Sequence, residues 1–362
     1  MSSTYPPIPR AAGDRPRILF APAREHTDKV FAPEVMARLE ARFDVDRNDR
    51  DTDLTEAELR ERIAGCDGLV TGWGANDPRV LRPRGAMALT PAVLEAADRL
   101  RIIAHAAGSV RQMLGGVWQD YIAPRAICVF TATVEIGYNV AETAVGMMIM
   151  SAKRLMEYAL HVRHSGGWRS PAIPVDEQHL FGAAVGVVGA SDVGRRVMRL
   201  LRPFDVRLLL FDPYLDASAA AALNAEQVAL DELFARADIV SLHAPSIPET
   251  RHMVGAAQLR RLRDGALLVN TARGSLIDQE ALVREAGSGR IRVALDVTTP
   301  EPLPADSPLR AMPNVIITPH LAGQGRYGHL RIGAATLQAL EDFFAGRPVT
   351  GAVDHARWER LA

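Results

Sequence analysis

Short aliphatic runs closed by Gly, Pro or Asp return along this chain at intervals that leave room for one helix between them. Ile18 to Ala21, Gly68 to Thr71 and Arg101 to Ala104 are separated by helical patterns at Val30 to Arg42, Leu59 to Ile63 and Leu94 to Ala97. A second series starts at Ile127 to Thr131 and passes through a helix at Val140 to Leu155 and a loop from Ser165 to Gln178. It then gives runs at Ala184 to Val188, Arg207 to Phe211, Ile239 to Leu242, Ala266 to Asn270, Arg292 to Asp296 and Val315 to Thr318. A strand that returns after a crossover helix pairs in parallel, and a run apolar throughout needs cover on both faces. The pattern predicts an α/β protein with two doubly wound parallel sheets.

At 362 residues the chain is longer than one core usually allows, because single cores stop growing at roughly 250 to 300 residues. Two domains are expected. The last helix, Leu330 to Phe344, follows the second series and finds its packing partner in the first, so residues 14–126 and 323–362 form one discontinuous domain. Residues 127–322 form the other, and the proline-rich 1–13 are expected to be a disordered extension.

Charge and composition remove whole classes of function. Basic and acidic residues are mixed along the chain and sum to a net charge of −1, which sustains no field for nucleic acid or an anionic membrane. No run approaches the roughly 18 to 20 apolar residues of a membrane span. Cys66 and Cys128 follow no CxxC spacing, which points to core filler in a reducing cytoplasm. His161 and His164 have no acidic or thiol partner nearby, so no metal is expected. Lys29 and Lys153 are the only lysines, which leaves basic chemistry to Arg and His.

The run Ala184 to Val188 opens into Gly189-Ala190-Ser191-Asp192-Val193-Gly194 and then an apolar helix, Val197 to Leu201. This is the GxGxxG pattern with Ser191 at the second glycine, where strand, tight turn and helix N-terminus together make a pyrophosphate cradle. The Ser191 hydroxyl is expected to reach a phosphate oxygen. Asp212 closes the next run near the spacing at which a carboxylate meets the adenosine ribose, and it would repel a 2′-phosphate. NAD is therefore favoured over NADP. The other readings are a ligand-free strand-to-helix turn for the loop and a strand-end turn for Asp212.

Three later strand ends carry reactive side chains. Asn270-Thr271-Ala272-Arg273-Gly274 brings an Arg to the carboxyl edge of the sheet, where its planar fork suits a 2-oxo carboxylate. Asp296-Val297-Thr298-Thr299-Pro300-Glu301 and Thr318-Pro319-His320 bring a Glu and a His that form an acid/base pair if they meet. His243 with Ala244 and Pro245 is a strand end lining the cofactor groove, and His105-Ala106-Ala107-Gly108-Ser109 is a small-residue turn suited to an anion. Each residue alone also reads as a solvated Arg, a turn Glu or a loop His. Their succession after a nucleotide loop favours the joint reading.

From about residue 135 to 345 the chain resembles the D-2-hydroxyacid dehydrogenases, the family of phosphoglycerate, glycerate/glyoxylate and D-lactate dehydrogenases. Val140-Ala141-Glu142, Gly166-Gly167-Trp168, Leu242-His243-Ala244-Pro245, Asn270 to Gly274, Asp296 to Leu303 and Asn314 to His320 carry the resemblance. It implies a Rossmann NAD-binding domain inserted in a flavodoxin-like substrate domain, with substrate in the cleft between them. It also implies a homodimer through the cofactor domains and a small 2-hydroxy or 2-oxo acid as partner. Arg273, Glu301 and His320 become the catalytic trio, and Asp296 holds the nicotinamide carboxamide. Thr250, Thr271, Ala272 and Gly323 join the cofactor contacts, with Trp73, Ala107 and Gly108 facing substrate. The chain stops soon after the last family helix, so no C-terminal regulatory domain is expected. Three departures put the choice of acid in question. They are Ser191 for Gly, Thr298 where an aromatic is usual, and no Asp in Ala107-Gly108-Ser109-Val110-Arg111.

Two readings compete with a 2-oxo acid reductase. The first is an NADH-sensing, corepressor-like binding protein. The second is a formate or phosphite dehydrogenase-like enzyme.

Overall fold

The computed structural model describes residues 15–73, 76–77, 82–83, 89–173 and 180–360. The expected 1–13 extension lies outside the described residues. The chain divides into two compact units, Met1–Ile136 with Gln324–Ala362, and Gly137–Gly323.

The first unit is built on β1 (Arg17–Phe20), β2 (Asp44–Arg47), β3 (Gly68–Thr71), a small antiparallel ribbon of β4 (Asn76–Asp77) and β5 (Arg82–Pro83), then β6 (Ile102–His105) and β7 (Cys128–Thr131). Its main sheet is parallel, in the order β2-β1-β3-β6-β7. The boundary expected after residue 126 falls later, because β7 pairs with β6 from Ile102↔Cys128 to His105↔Thr131 and completes this sheet instead of opening the next. One face buries Leu19, Leu69, Ile103, Val129 and Trp118; the other buries Ile18, Phe20, Ile102 and Phe130. The helix Arg326–Phe344 returns to cover that second face with Ile332, Leu337, Leu340 and Phe343. It approaches so closely that a Cβ on Gly333 would stand 2.3 Å from the Val30 carbonyl oxygen.

The second unit holds β8 (Ala184–Val188), β9 (Arg207–Phe211), β10 (Ala225–Gln227), β11 (Ile239–Leu242), β12 (Leu267–Asn270), β13 (Arg292–Leu295) and β14 (Val315–Ile317). All seven run parallel in the order β10-β9-β8-β11-β12-β13-β14. The order reverses between β8 and β11, which opens the crevice at their carboxyl ends where such sheets bind ligands. Both sheet faces are covered, one around Leu233, Phe234 and Leu268 and the other around Met148, Val187 and Val197.

β2 and β10 carry no apolar run that announces them. They are edge strands reading Asp-Val-Asp-Arg and Ala-Glu-Gln, and an edge strand buries too little to need one. Arg292, in the middle of an apolar series, is 4% exposed. Its guanidinium donates to the carbonyls of Ser151 (2.7 Å) and Gly265 (2.9 Å), satisfying the end of the long helix Thr133–Ala152.

Candidate active site

The nucleotide loop sits at the reversal point. Gly189 has φ 95, and a Cβ there would meet the Ala244 amide nitrogen at 2.8 Å, because the end of β11 crosses directly beneath. A Cβ on Gly194 would stand 2.1 Å from the Gly189 carbonyl oxygen. Both glycines are therefore required by close backbone approach. Ser191 is the N-cap of the helix Asp192–Leu201, and its Oγ accepts from the Gly194 amide (3.3 Å). The hydroxyl expected to serve phosphate thus already caps the helix and keeps only its own proton to donate.

Asp212 closes β9, and its carboxylate is engaged with backbone. Oδ2 accepts from the Ala190 amide (2.8 Å) and Oδ1 from the Tyr214 amide (2.9 Å). The strand-end turn and the cofactor contact, set apart as alternatives by sequence, are not exclusive, since each oxygen retains a lone pair. At the neighbouring strand ends, His243 Nδ1 and Thr271 Oγ1 are buried without a hydrogen-bond partner among the described residues. Leaving such atoms unpaired costs about 1–3 kcal/mol each, so the crevice is fitted to a polar ligand. Burial pushes the His243 imidazole down to about 4, which keeps it neutral beside that crevice.

Beyond β12, β13 and β14 the reactive groups meet. A Cβ on Gly274 would lie 2.2 Å from the Thr298 carbonyl carbon, so the Arg273 turn and the 298–301 segment are in backbone contact. Burial lowers the Arg273 guanidinium below its ordinary value, while the Glu301 charge pulls it back up. His320 Nδ1 lies 2.7 Å from Glu301 Oε1. His320 adopts φ 55, a left-handed conformation uncommon outside Gly. Asp296, 2% exposed, holds that turn: its carboxylate accepts from Thr318 Oγ1 (2.5 Å), Leu321 N (2.8 Å) and Ala322 N (2.8 Å), and its carbonyl accepts from His320 N (2.8 Å). Three donors leave this carboxylate one free acceptor position on Oδ2, which is all it has for a carboxamide.

The expected residues are thus divided between the units. Arg273, Glu301 and His320 come together in the second, with Gly189 to Gly194, Asp212, His243 to Pro245, Thr250, Thr271, Ala272, Asp296 and Gly323. Trp73, Ala107 and Gly108 belong to the first. Thr250 is absorbed locally, its hydroxyl donating to the Pro245 carbonyl (2.6 Å). Trp73 stands between two imidazoles, 4.1 Å from the His26 ring and 5.4 Å from that of His329. Sequence missed both histidines, because a lone His in a helix carries no spacing signal. Arg111 donates to the Trp358 carbonyl (2.7 Å). No group of three His, Cys, Asp or Glu suited to a metal exists among the described residues, and no described helix is long and apolar enough to cross a membrane.

Residues 145–322 match the model of the D-isomer specific 2-hydroxyacid dehydrogenase NAD binding domain. The glyoxylate reductase of Korarchaeum cryptofilum is 31% identical over 319 residues, covering 86% of this chain and 90% of that protein. The chain belongs to the D-2-hydroxyacid dehydrogenase family. A second member, the hydroxypyruvate reductase of Thermotoga maritima, is 32% identical over 270 residues, 72% of this chain and 83% of its own. The D-3-phosphoglycerate dehydrogenase of Methanocaldococcus jannaschii is 31% identical over 82% of this chain, but the match spans only 53% of that longer protein. The chain spans about half the length of the phosphoglycerate dehydrogenases it matches. Among solved structures, the TT0316 protein of Thermus thermophilus superposes with a TM-score of 0.74 at 28% identity, covering 93% of this chain and all of its own. The matched region, residues 145–322, contains the nucleotide loop and the strand ends that carry Arg273, Glu301 and His320.

Proposed function

We propose that this family member transfers a hydride between NAD and a small D-2-hydroxy acid, with Arg273, Glu301 and His320 as its catalytic residues. The observation that carries the reading is the 2.7 Å contact from His320 to Glu301 beside the partly buried Arg273. A bound nicotinamide supplies or accepts the hydride. The chain's own groups do the rest. Arg273 binds the substrate carboxylate through its planar fork. The Nδ1–H of His320 donates to Glu301, which leaves Nε2 to take the hydroxyl proton in oxidation and return it in reduction. Asp212 favours NAD over NADP, because a 2′-phosphate would face a carboxylate whose two oxygens are already held in place by backbone. Asp296 acts chiefly by holding the His320 turn.

The second unit, Gly137–Gly323, is read as the cofactor-binding domain and the first as the substrate-binding domain. A homodimer through the cofactor domains is supported by the helix Leu155–Ser165, which has no buried residue and exposes Leu155, Met156, Leu160 and Val162, with Trp168 79% exposed just beyond it. Two buried free cysteines agree with a reducing cytoplasm.

The test follows the loss of NADH absorbance with glyoxylate, hydroxypyruvate, pyruvate, phenylpyruvate, 2-oxoglutarate and 3-phosphohydroxypyruvate in turn. Turnover of any one supports the reaction class. Silence with every acid, with NADH binding intact, defeats it in favour of a sensor or a formate or phosphite enzyme.

A further inference from the structure

The small-residue turn after β6 has its carbonyls tied down and its amides left over. The Thr131 hydroxyl reaches the carbonyls of both Ala107 and Gly108, and Ala132 N donates to the Ala107 carbonyl (3.0 Å). Among the described residues the amides of Ala107 and Gly108 have no backbone acceptor. A turn fixed in this way presents N–H groups to an anion.

What fixes it comes from far downstream, since Arg111 and Trp358 are 247 apart in sequence. On one side of the turn, Thr131 N donates to the Gly351 carbonyl (3.2 Å), Phe130 makes an antiparallel bridge with Ala352, and Val353 N donates to the Val129 carbonyl (2.7 Å). On the other side, Arg111 donates to the Trp358 carbonyl (2.7 Å) and lies over the Trp358 ring, 5.2 Å from its centre. Trp358 in turn stacks face to face on Trp118, 3.8 Å away and within 1° of parallel, and both rings are buried. His355 packs on the same Trp118 ring and reaches the Ile127 carbonyl (3.2 Å). Both shoulders of the turn therefore rest on one segment, 351–360.

We propose that this segment is a latch that positions the Ala107–Gly108 turn for a substrate carboxylate, with Arg111 and Trp358 as its positioning residues. The inference rests on the 2-oxo acid reading above for its kinetic consequence, though not for its structural one. Neither residue touches reacting atoms. Loosening the latch lets the turn sample conformations that do not offer both amides together, which weakens substrate binding and leaves the hydride step alone.

The experiment compares Arg111→Met, Trp358→Leu and Trp358→Phe with the full chain. In the first two, KM for the best 2-oxo acid rises about tenfold while kcat stays within about twofold and NADH affinity, read by fluorescence titration, is unchanged. Trp358→Phe, which keeps a ring on Trp118, restores most of the loss. Amide exchange of the peptide spanning 105–113 accelerates by about tenfold or more in Arg111→Met, and this arm needs no turnover. A folded Arg111→Met protein with unchanged exchange overturns the latch even if the enzyme proves silent with every acid. Faster exchange with unchanged KM in an active enzyme overturns its role in substrate binding. Should Trp358→Leu fail to fold, Arg111→Met carries the decision alone.

Discussion

His320 Nδ1 stands 2.7 Å from Glu301 Oε1, although 19 residues and two strand ends separate them in the chain. The pair exists because Asp296 gathers the amides of Leu321 and Ala322 and the Thr318 hydroxyl, forcing His320 into its left-handed turn so that the ring swings toward Glu301. An imidazole anchored at one nitrogen has its other nitrogen free for proton transfer.

Replacing His320 by Ala removes that transfer. The expected result is a kcat lower by ~10²- to 10⁴-fold, with NADH binding close to that of wild type. Stopped-flow reduction of the best 2-oxo acid measures the first and fluorescence titration the second; an unimpaired kcat would take His320 out of the mechanism.

Glu301→Ala leaves the ring unanchored and takes one negative charge away from Arg273. A loss of about 10²-fold in kcat is expected, by the same orienting logic as other carboxylate-imidazole pairs. Glu301→Gln, which can still accept a hydrogen bond from Nδ1–H, should recover part of it, and equal damage from both variants would mean that the charge rather than the orientation matters.

Asp212→Ala deprives the Ala190 and Tyr214 amides of their acceptor. Bonds to a charged group are worth about 1.5–3 kcal/mol. NADH affinity should therefore fall by about 10- to 100-fold, and with the repelling carboxylate gone NADPH should bind better than it does to the wild type. Tight NADPH binding with NADH affinity intact would show that Asp212 acts only as a charge filter.

Gly274→Ala places a methyl group 2.2 Å from the Thr298 carbonyl carbon, an overlap that backbone must absorb. Because that contact seats Arg273 beside the Glu301 segment, the variant should lose turnover by at least about tenfold and raise KM for the acid together. Wild-type kinetics in a folded variant would dissolve the link between the two segments.

Burial lowers His26, His105 and His243 from 6.5 to about 3, about 4 and about 4. Their imidazoles protonate first in the unfolded chain, so the stability they contribute is complete above pH 6.5 and drains away as pH falls toward the folded values. The slope is at most ~1.4 kcal/mol per pH unit for each group. Urea midpoints measured from about pH 7.5 down to about pH 5 should decline, in a window above that of the carboxylates, and a flat midpoint would contradict the neutral burial of these rings.

Much of the architecture was legible because a strand buried on both faces must be apolar along its length. Val185, Val187 and Val188 at the nucleotide strand, or Leu267 to Val269 before Arg273, can hardly be read otherwise. β2 and β10 were not, since edge strands bury little, and the boundary after residue 126 went astray because β7 is as apolar as any strand of either sheet and its sequence does not name its neighbour.

The sequence by itself determined the layered α/β plan, the glycine loop and the order in which Arg273, Glu301 and His320 arrive at strand ends, because period, turn chemistry and residue type are local properties. Only the tertiary structure decided that Asp212 accepts from the Ala190 amide, that Asp296 spends its carboxylate on the amides of Leu321 and Ala322, and that Trp358 reaches back to Arg111. Those are pairings between distant residues, and which amide a carboxylate finds depends on how strands are ordered in space, a quantity that no single stretch of chain encodes.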